Sequence, residues 1–252
     1  MAARQRVATI GAAVVALLIP CAAHAQTDLQ LWGNFYFDWI KDHRITMGVD
    51  AEPKVLVSKP SSDPEWATLD ITPSFEYSRG EWFDMIGDLV VGYTKQNNDL
   101  DTTEVRPRVG FRFHILSNLR DDLEKERRPK RRLVLTDLLR LEWRNLYYST
   151  DKPNSSTLRL RNRFGGQWPL NRPKITDNGA ASLAADWEWF IPVDDPAERF
   201  ANSQRIRTGI SYRHSFAWRF EAMYVWDRTR NTIDEPFTTS YHAIDLTMKR
   251  VW

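Results

Sequence analysis

The sequence predicts an all-β protein, an antiparallel transmembrane β-barrel of 10–12 strands, with twelve strands favoured. Three observations lead to this prediction: apolar and polar residues alternate strictly, the alternation recurs in about eleven segments, and the chain ends on an aromatic residue. Alternate side chains of a strand point to opposite faces of its sheet. In a membrane barrel the apolar face is turned outward to lipid and the polar face lines the interior.

The clearest alternation is in the stretch EVRPRVGFRFHI, residues 104–115. One face would carry Val105, Pro107, Val109, Phe111, Phe113 and Ile115, and the other Glu104, Arg106, Arg108, Gly110, Arg112 and His114. In a water-soluble domain the apolar face would pack a core, whereas in a membrane barrel it would point outward.

The first residues indicate export from the cytoplasm. Residues 1–25 contain two arginines, an apolar run and the small-residue ending AHA, which is the order of a secretory signal peptide. A transmembrane anchor would need roughly 20 apolar residues, and Pro20 interrupts this run. We therefore expect cleavage after Ala25 and a single barrel domain over residues 26–252. The only cysteine, Cys21, would be removed, so the mature chain would have no disulfide or thiolate metal site.

The predicted strands follow one another along the whole mature chain. They lie near residues 28–41, 43–57, 66–79, 82–97, 103–116, 131–149, 157–168, 181–193, 204–215, 217–229 and 240–252. Strict alternation supports the first (LQLWGNFYFDW), the third (WATLDITPSFEYS), the seventh (LRLRNRFGGQW), the ninth (RIRTGISYRH) and the tenth (WRFEAMYVWDR).

The segments between the predicted strands have the composition of turns. Five polar clusters separate strands: SKPSSDP, KQNNDLD, STDKPNSS, PVDDPAER and TRNTIDEP. Two joins are tight, at Lys41-Asp42 and at Phe216-Ala217. The insert at 118–132, NLRDDLEKERRPKRR, is expected to be a charged loop or a short helix.

Eleven segments would give an odd number of strands. A bacterial single-chain barrel has an even number, with both chain ends on the periplasmic side. We therefore expect either a further strand within the first sixty residues or two segments that form one strand, and we favour twelve strands over ten.

Aromatic residues support a membrane barrel in two ways. The eleven tryptophans lie within or beside predicted strands, many near a strand end, where a membrane barrel needs interfacial girdles. The final segment, HAIDLTMKRVW, places Ile244, Leu246, Met248 and Trp252 on one face and is similar to the closing strand of outer-membrane barrels, although Arg250 interrupts the apolar series. We expect this segment to pair with the first strand, which begins near Leu29, and Trp252 to lie at the periplasmic interface.

Overall composition leaves a soluble alternative open. Charged residues make up 27% of the chain, the formal net charge is +2 and the mean hydropathy is −0.52. These averages are typical of a soluble protein, so a secreted soluble barrel that binds an apolar ligand is an alternative. Two points weigh against it: an average over the chain conceals alternation, and a soluble lipocalin has only eight strands. The balanced charge argues against a nucleic-acid binder.

The order of several segments resembles a known family. LQLWGNFYFDW is followed by LRLRNRF, then by DWEWFIPVDD and RFANSQRIRTGISYRHSFAWRFEAMYVWDRTR. Together these resemble the bacterial family called domain of unknown function 2490, and the most specific part runs from Leu158 to Arg230. The resemblance implies a barrel in the outer membrane of a Gram-negative-type bacterium, without an assigned activity. It implies no catalytic residue.

The polar faces predict what fills the interior. The arginines expected to face the lumen are Arg106, Arg108, Arg112, Arg159, Arg161, Arg163, Arg205, Arg207 and Arg213, and the acids are Glu76, Glu142, Asp186, Glu188 and Glu221. Mutual pairing would plug the barrel with ion pairs. An excess of positive potential would instead create a narrow anion-selective pore or a site for an acidic ligand.

We therefore expect a structural or small-solute passage role for a monomeric barrel. Its partners would be outer-membrane lipid and, during biogenesis, the barrel-assembly machinery.

A lipid-modifying barrel enzyme is the other alternative. Its chemistry would need a serine activated by a histidine that a carboxylate orients, and His214, Ser215 and Glu221 are the candidates. Because His214 and Ser215 are adjacent, a regular strand would turn them to opposite faces. No two histidines have metal-ligand spacing, so we expect no catalytic residue, metal or cofactor.

Overall fold

A computed structural model of the chain describes residues 27–58, 65–80, 82–97, 100–116, 133–194, 202–230 and 235–252. They form an all-β barrel whose strands are β1 (Asp28–Ile40), β2 (Ile45–Ser58), β3 (Trp66–Ser78), β4 (Phe83–Gln96), β5 (Thr102–Leu116), β6 (Val134–Tyr148), β7 (Ser155–Pro169), β8 (Ala180–Pro192), β9 (Ser203–Arg213), β10 (Trp218–Thr229) and β11 (Thr238–Val251). The predicted signal peptide, and the insert at 118–132, lie outside the described residues. No helix long and apolar enough to cross a membrane occurs within the described ranges.

Strands form where the sequence alternates and end at turn residues. Between β1 and β2, the Asp42 carboxylate accepts hydrogen bonds from the backbone N–H groups of Arg44 and Ile45 at 2.7 and 3.0 Å. The first of these bonds is the main reason that the pKa of Asp42 is lowered. Gly80 lies in the turn between β3 and β4 at φ 77°, a left-handed conformation that glycine adopts without steric cost. The join between β9 and β10 is equally tight, as predicted.

Consecutive strands pair with one another, and the last strand returns to the first. Each strand pairs antiparallel with the next along the chain. β1 and β11 run parallel, in register from Asp28↔Tyr241 to Asp38↔Val251. The end of the barrel where β1 begins is called the Asp28 end below, and the opposite end is called the Trp252 end. The expected pairing of the first and last segments is confirmed.

The preference for twelve strands is wrong, because the barrel has eleven. In an up-and-down meander with an odd number of strands, the first and last strands run in the same direction. They therefore close the barrel as a parallel pair, which leaves neither edge without hydrogen-bond partners. For the same reason the described strands do not begin and end on one side of the barrel: β1 begins at Asp28 and β11 ends beside Trp252, at opposite ends.

The outer wall of the barrel is apolar. Large apolar side chains are exposed around it, among them Leu31, Met47, Leu69, Val91, Val109, Leu141, Phe164, Leu183, Phe220 and Leu246. The apolar face of residues 104–115 therefore points outward.

The interior is mainly polar but contains a small apolar cluster. Trp32, Val225 and Ala243 are buried there, and Tyr241 packs against them. Trp32 is thus an interior residue and does not belong to an aromatic girdle on the outside.

Candidate functional site

The interior of the barrel is the candidate functional site, because all eleven strands contribute charged side chains to it. Alternation along the strands assigns fifteen acids and fourteen bases to inward positions: Asp28, Asp38, Asp50, Glu52, Asp70, Glu76, Asp84, Asp88, Glu104, Glu142, Asp186, Glu188, Glu221, Asp227 and Asp245, against Lys54, Arg106, Arg108, Arg112, Arg140, Arg144, Arg159, Arg161, Arg163, Arg205, Arg207, Arg213, Arg219 and Lys249. The charges of the interior are therefore nearly balanced when all these groups are ionised.

The acids and bases lie on different parts of the wall. On their inner faces, β1 to β4 carry acids with Lys54 as the single base, whereas β5 to β9 carry most of the inward arginines. In the closed strand order these two groups of strands form two arcs of the wall. An acidic arc of the wall thus faces a basic arc across the lumen.

Two glutamates form the centre of the basic arc. Glu142 on β6 and Glu188 on β8 are both 0% exposed. Glu142 accepts hydrogen bonds from Arg159 Nε at 2.7 Å and from Arg161 Nη1 at 3.2 Å. Arg161 Nε also donates to Glu188 at 2.5 Å. One guanidinium therefore bridges both buried carboxylates, and each carboxylate has the partners that a buried charge requires.

Arg205 extends this network towards the closing seam of the barrel. Its Nη1 lies 3.4 Å from Glu188, its Nε lies 3.1 Å from Asp227, and its Nη2 donates to the Tyr241 hydroxyl at 2.7 Å. The guanidinium carbon also lies 5.0 Å from the ring centroid of Trp32 on β1, a cation–π distance. The side chain of Arg205 thus connects β8, β10, β11 and β1.

Most of the other sequence-predicted lumen residues also make ion pairs. Arg112 lies 2.9 Å from Glu76 and 3.1 Å from Asp84. Arg207 lies 2.8 Å from Asp186, and Arg219 lies 2.5 Å from Glu221. On β5, Arg106 lies 3.5 Å from Glu104, while Arg108 pairs with Asp88 and lies 4.0 Å from Glu142. The structure therefore brings twelve of the fourteen predicted residues into ion pairs.

Arg163 and Arg213 are the two exceptions. Neither side chain makes an ion pair or a hydrogen bond with another residue in the described ranges, and the Nε of Arg213 is buried without an acceptor. Arg213 lines a cavity of about 240 Å³ at the Trp252 end, beside Glu76, Arg112 and Lys249.

Several interior residues were missed by the sequence reasoning. Lys54 lies 2.8 Å from Glu52 and 3.0 Å from Asp70, and Arg144 lies 2.8 Å from Glu104. Their signal was present, because each alternates with outward apolar residues as the predicted arginines do. Arg144, for example, is two positions from Glu142 in LLRLEWRNLYY.

The residues of the predicted closing signal lie on the outer wall. Ile244, Leu246 and Met248 alternate with inward residues of β11, and the indole of Trp252 stacks on that of Trp39 with ring centroids 5.2 Å apart. The backbone N–H of Trp252 donates to Asp38 at 2.9 Å, and its carbonyl accepts from Ile40 at 3.1 Å. Trp252 therefore continues the parallel seam by one residue.

The candidate nucleophile and base are not joined. His214 is exposed in the turn that also contains Ser215, and no hydrogen bond links their side chains in the described part of the chain. The Glu221 carboxylate lies 2.5 Å from Arg219 Nη2, on β10. His214, Ser215 and Glu221 are therefore not arranged as a hydrolytic triad.

Comparison with known proteins gives one match. A family model described as "Protein of unknown function (DUF2490)" matches residues 30–237. No curated protein and no solved structure matches the chain.

Proposed function

The chain belongs to the DUF2490 family, and from this premise we propose that it is an outer-membrane β-barrel whose lumen is closed by ion pairs. Its role is structural: it forms a stable, sealed unit in the membrane. The description of the family names no activity, so the proposal depends on the properties of the barrel itself.

The distribution of apolar residues carries the membrane part of the proposal. Exposed side chains such as Leu69, Trp143 and Leu183 cover the outer wall, while Glu142 and Glu188 are fully buried. A soluble protein rarely exposes an apolar patch of more than a few hundred Å². The strands contain 11–15 residues, and about 9–11 tilted residues are enough to cross a bilayer.

The ion-paired interior supports a sealed barrel over an open pore. The side chains of Arg159, Arg161 and Arg205 extend to carboxylates on neighbouring strands and fill the space between them. Breaking such a pair leaves a buried charge without a partner, which costs about 3–5 kcal/mol. The closed state is therefore stable unless another charged group replaces a carboxylate or an arginine in these ion pairs.

Passage of small anions is a second candidate, and the basic arc favours it. Arg163 is without an ion pair in the described ranges, and Arg161 and Arg207 lie on the strand positions around it. A row of arginines that line a pore selects anions.

Conductance across planar bilayers tests the two roles. A sealed barrel that inserts stably should give no sustained current in KCl, whereas an anion channel should give discrete steps with a reversal potential that indicates chloride selectivity. Sustained steps from the wild-type protein would overturn the sealed-barrel role. The membrane location has its own test: the protein should sediment with outer membranes, and recovery in a detergent-free soluble fraction would contradict it.

A further inference from the structure

An aromatic cluster surrounds one arginine on the outer wall at the Trp252 end. It consists of Phe37, Trp39, Trp218, Arg250 and Trp252, and is called the rim cluster below. The guanidinium carbon of Arg250 lies 4.6 Å from the ring centroid of Trp218 and 5.2 Å from that of Trp252. Strand pairing creates this arrangement, because Arg250 on β11 is in register with Trp218 on β10 and with Phe37 on β1.

The Arg250 side chain has cation–π contacts but no acceptor. No ion pair or hydrogen bond joins it to any other residue that the structure describes. Asp38, an inward acid on the neighbouring strand β1 and in register with Val251, is already 2.5 Å from Lys249. A guanidinium has five N–H donors, and the indole faces offer them only weak N–H···π contacts in place of oxygen acceptors.

The contrast with Arg228, the other outward arginine in the described strands, makes Arg250 distinctive. Arg228 lies on the outer face of β10 near the Asp28 end and is 5.1 Å from the Trp226 ring. Its Nη2 donates to the backbone carbonyl of Phe237 at 3.0 Å. Arg228 thus has an acceptor within the barrel. The N–H donors of Arg250 remain available to an external partner.

We propose that the rim cluster is a binding site for the phosphate group of a membrane lipid, with Arg250 as the residue that binds the phosphate. This inference rests on the proposed membrane location. Tryptophan side chains are favoured at the level of lipid headgroups, so the indoles of Trp218 and Trp252 hold the guanidinium at the depth where phosphates lie. Arginine binds phosphate oxygens with paired N–H donors.

The rim cluster also offers an apolar surface on which the acyl chain of the lipid could pack. Trp39 and Trp252 are 46% and 48% exposed, and Phe216 in the adjacent turn is 61% exposed. Their outer surfaces form an apolar area next to the guanidinium. The first carbons of an acyl chain would pack there while the phosphate contacts Arg250. Anionic glycerophospholipids and phosphorylated glycolipids share this chemistry.

Native mass spectrometry of the intact barrel, released from nanodiscs, tests the site. The nanodiscs contain phosphatidylcholine with either phosphatidylglycerol or lipid A as the anionic component. Wild type should retain one anionic lipid that Arg250→Gln loses, with affinity about fivefold lower in the variant, as expected for one basic residue near an anionic surface. Arg228→Gln is the matched control and should retain lipid as wild type does. Trp218→Leu should weaken retention while keeping the charge.

The outcomes separate the proposals. Retention of phosphatidylglycerol alone, or of lipid A alone, identifies the source of the phosphate. Equal retention by wild type and Arg250→Gln, or equal loss from the Arg250 and Arg228 variants, would overturn the site while leaving the membrane location intact. Failure of the wild-type protein to enter nanodiscs would instead contradict the proposed function. Circular dichroism of each variant checks that the barrel has folded.

Discussion

Arg161 Nε and the carboxylate of Glu188 lie 2.5 Å apart, and Arg161 Nη1 lies 3.2 Å from Glu142. Neither glutamate has any exposed surface. Because one guanidinium bridges two buried acids, the two ion pairs depend on each other. Loss of either acid changes the charge balance around the other.

Glu188→Ala should destabilise the barrel by about 3–5 kcal/mol, because Arg161 and Arg205 lose a shared buried partner. The free energy of unfolding in urea, measured in lipid vesicles, gives the value. Glu221→Ala is the control, since Glu221 also pairs with an arginine but its side chain is 20% exposed. A loss of less than about 1 kcal/mol is expected there. If both variants lost the same free energy of unfolding, burial of the carboxylate would not determine how much an ion pair contributes to stability.

Phe111→Arg should impair insertion, because it places a charge on the outer wall within the span of β5. A charge at mid-membrane on the lipid side costs about 2–4 kcal/mol, and the substitution also removes the contact with Phe83, whose ring centroid is 5.7 Å away. Phe216→Arg is the matched control, since Phe216 lies in a turn at the Trp252 end. The fraction of folded protein in vesicles is the measurement. Normal insertion of Phe111→Arg would contradict an outward lipid-facing wall.

Single cysteines should report which face of β7 meets lipid. Residues 159, 161 and 163 are expected to react only with small water-soluble thiol reagents that enter the barrel, and residues 158 and 160 only with a lipid-phase reagent. Residue 163 should react faster than residue 159, because position 163 is only half-buried whereas Arg159 is buried. Mass spectrometry of the labelled protein gives the rates. Lipid-phase labelling at 159, 161 and 163 would reverse the two faces.

Deletion of Trp252 should lower the amount of assembled barrel in the outer membrane. It removes two backbone hydrogen bonds at the closing seam and the stacking of Trp252 on Trp39. Unassembled, protease-sensitive chain should then accumulate in the periplasm. Trp82→Leu is the control, because Trp82 is an exposed aromatic residue beside β4, away from the seam. Unchanged outer-membrane levels after the deletion would remove the role assigned to the last residue.

The turn between β1 and β2 should loosen in acid. The pKa of Asp42 is lowered in the folded state, chiefly by the backbone N–H of Arg44, so its contribution to stability is present above the unfolded pKa of about 3.9. It is lost as the pH falls through the lower folded pKa. Hydrogen exchange at the amides of Arg44 and Ile45 should accelerate over that range. Asp42→Ala should show fast exchange at every pH, and slow exchange in this variant would contradict the assignment.

Alternation was enough to predict the strands and their two faces. The eleven observed strands match the eleven segments, and the error in strand number came from a general rule about even barrels. That rule could not reveal the parallel pairing of β1 and β11, because strand direction at closure is not encoded in any single segment. Trp32 shows a different error. Its position between Gln30 and Asn34 indicates the inner face, but its aromatic character suggested an interfacial role.

The ion-pair partners were not predictable from the sequence. Alternation shows that Arg161 points inward, but not that it lies opposite Phe190 on β8, which places its guanidinium between Glu188 and Glu142. Partner choice depends on strand register, and register is a property of the closed sheet. The division into an acidic and a basic arc is visible in the sequence once the strand order is known.

The parallel seam between β1 and β11 also determines how the gene product could be rearranged. Circular permutation needs chain ends that a short linker can join. Here Asp28 and Trp252 are separated by the full height of the barrel, so a linker would have to pass through the filled interior or along the apolar wall. New termini cannot be made by joining the old ones. In a membrane-inserted barrel, epitope tags placed directly before Asp28 and directly after Trp252 would be accessible from different compartments.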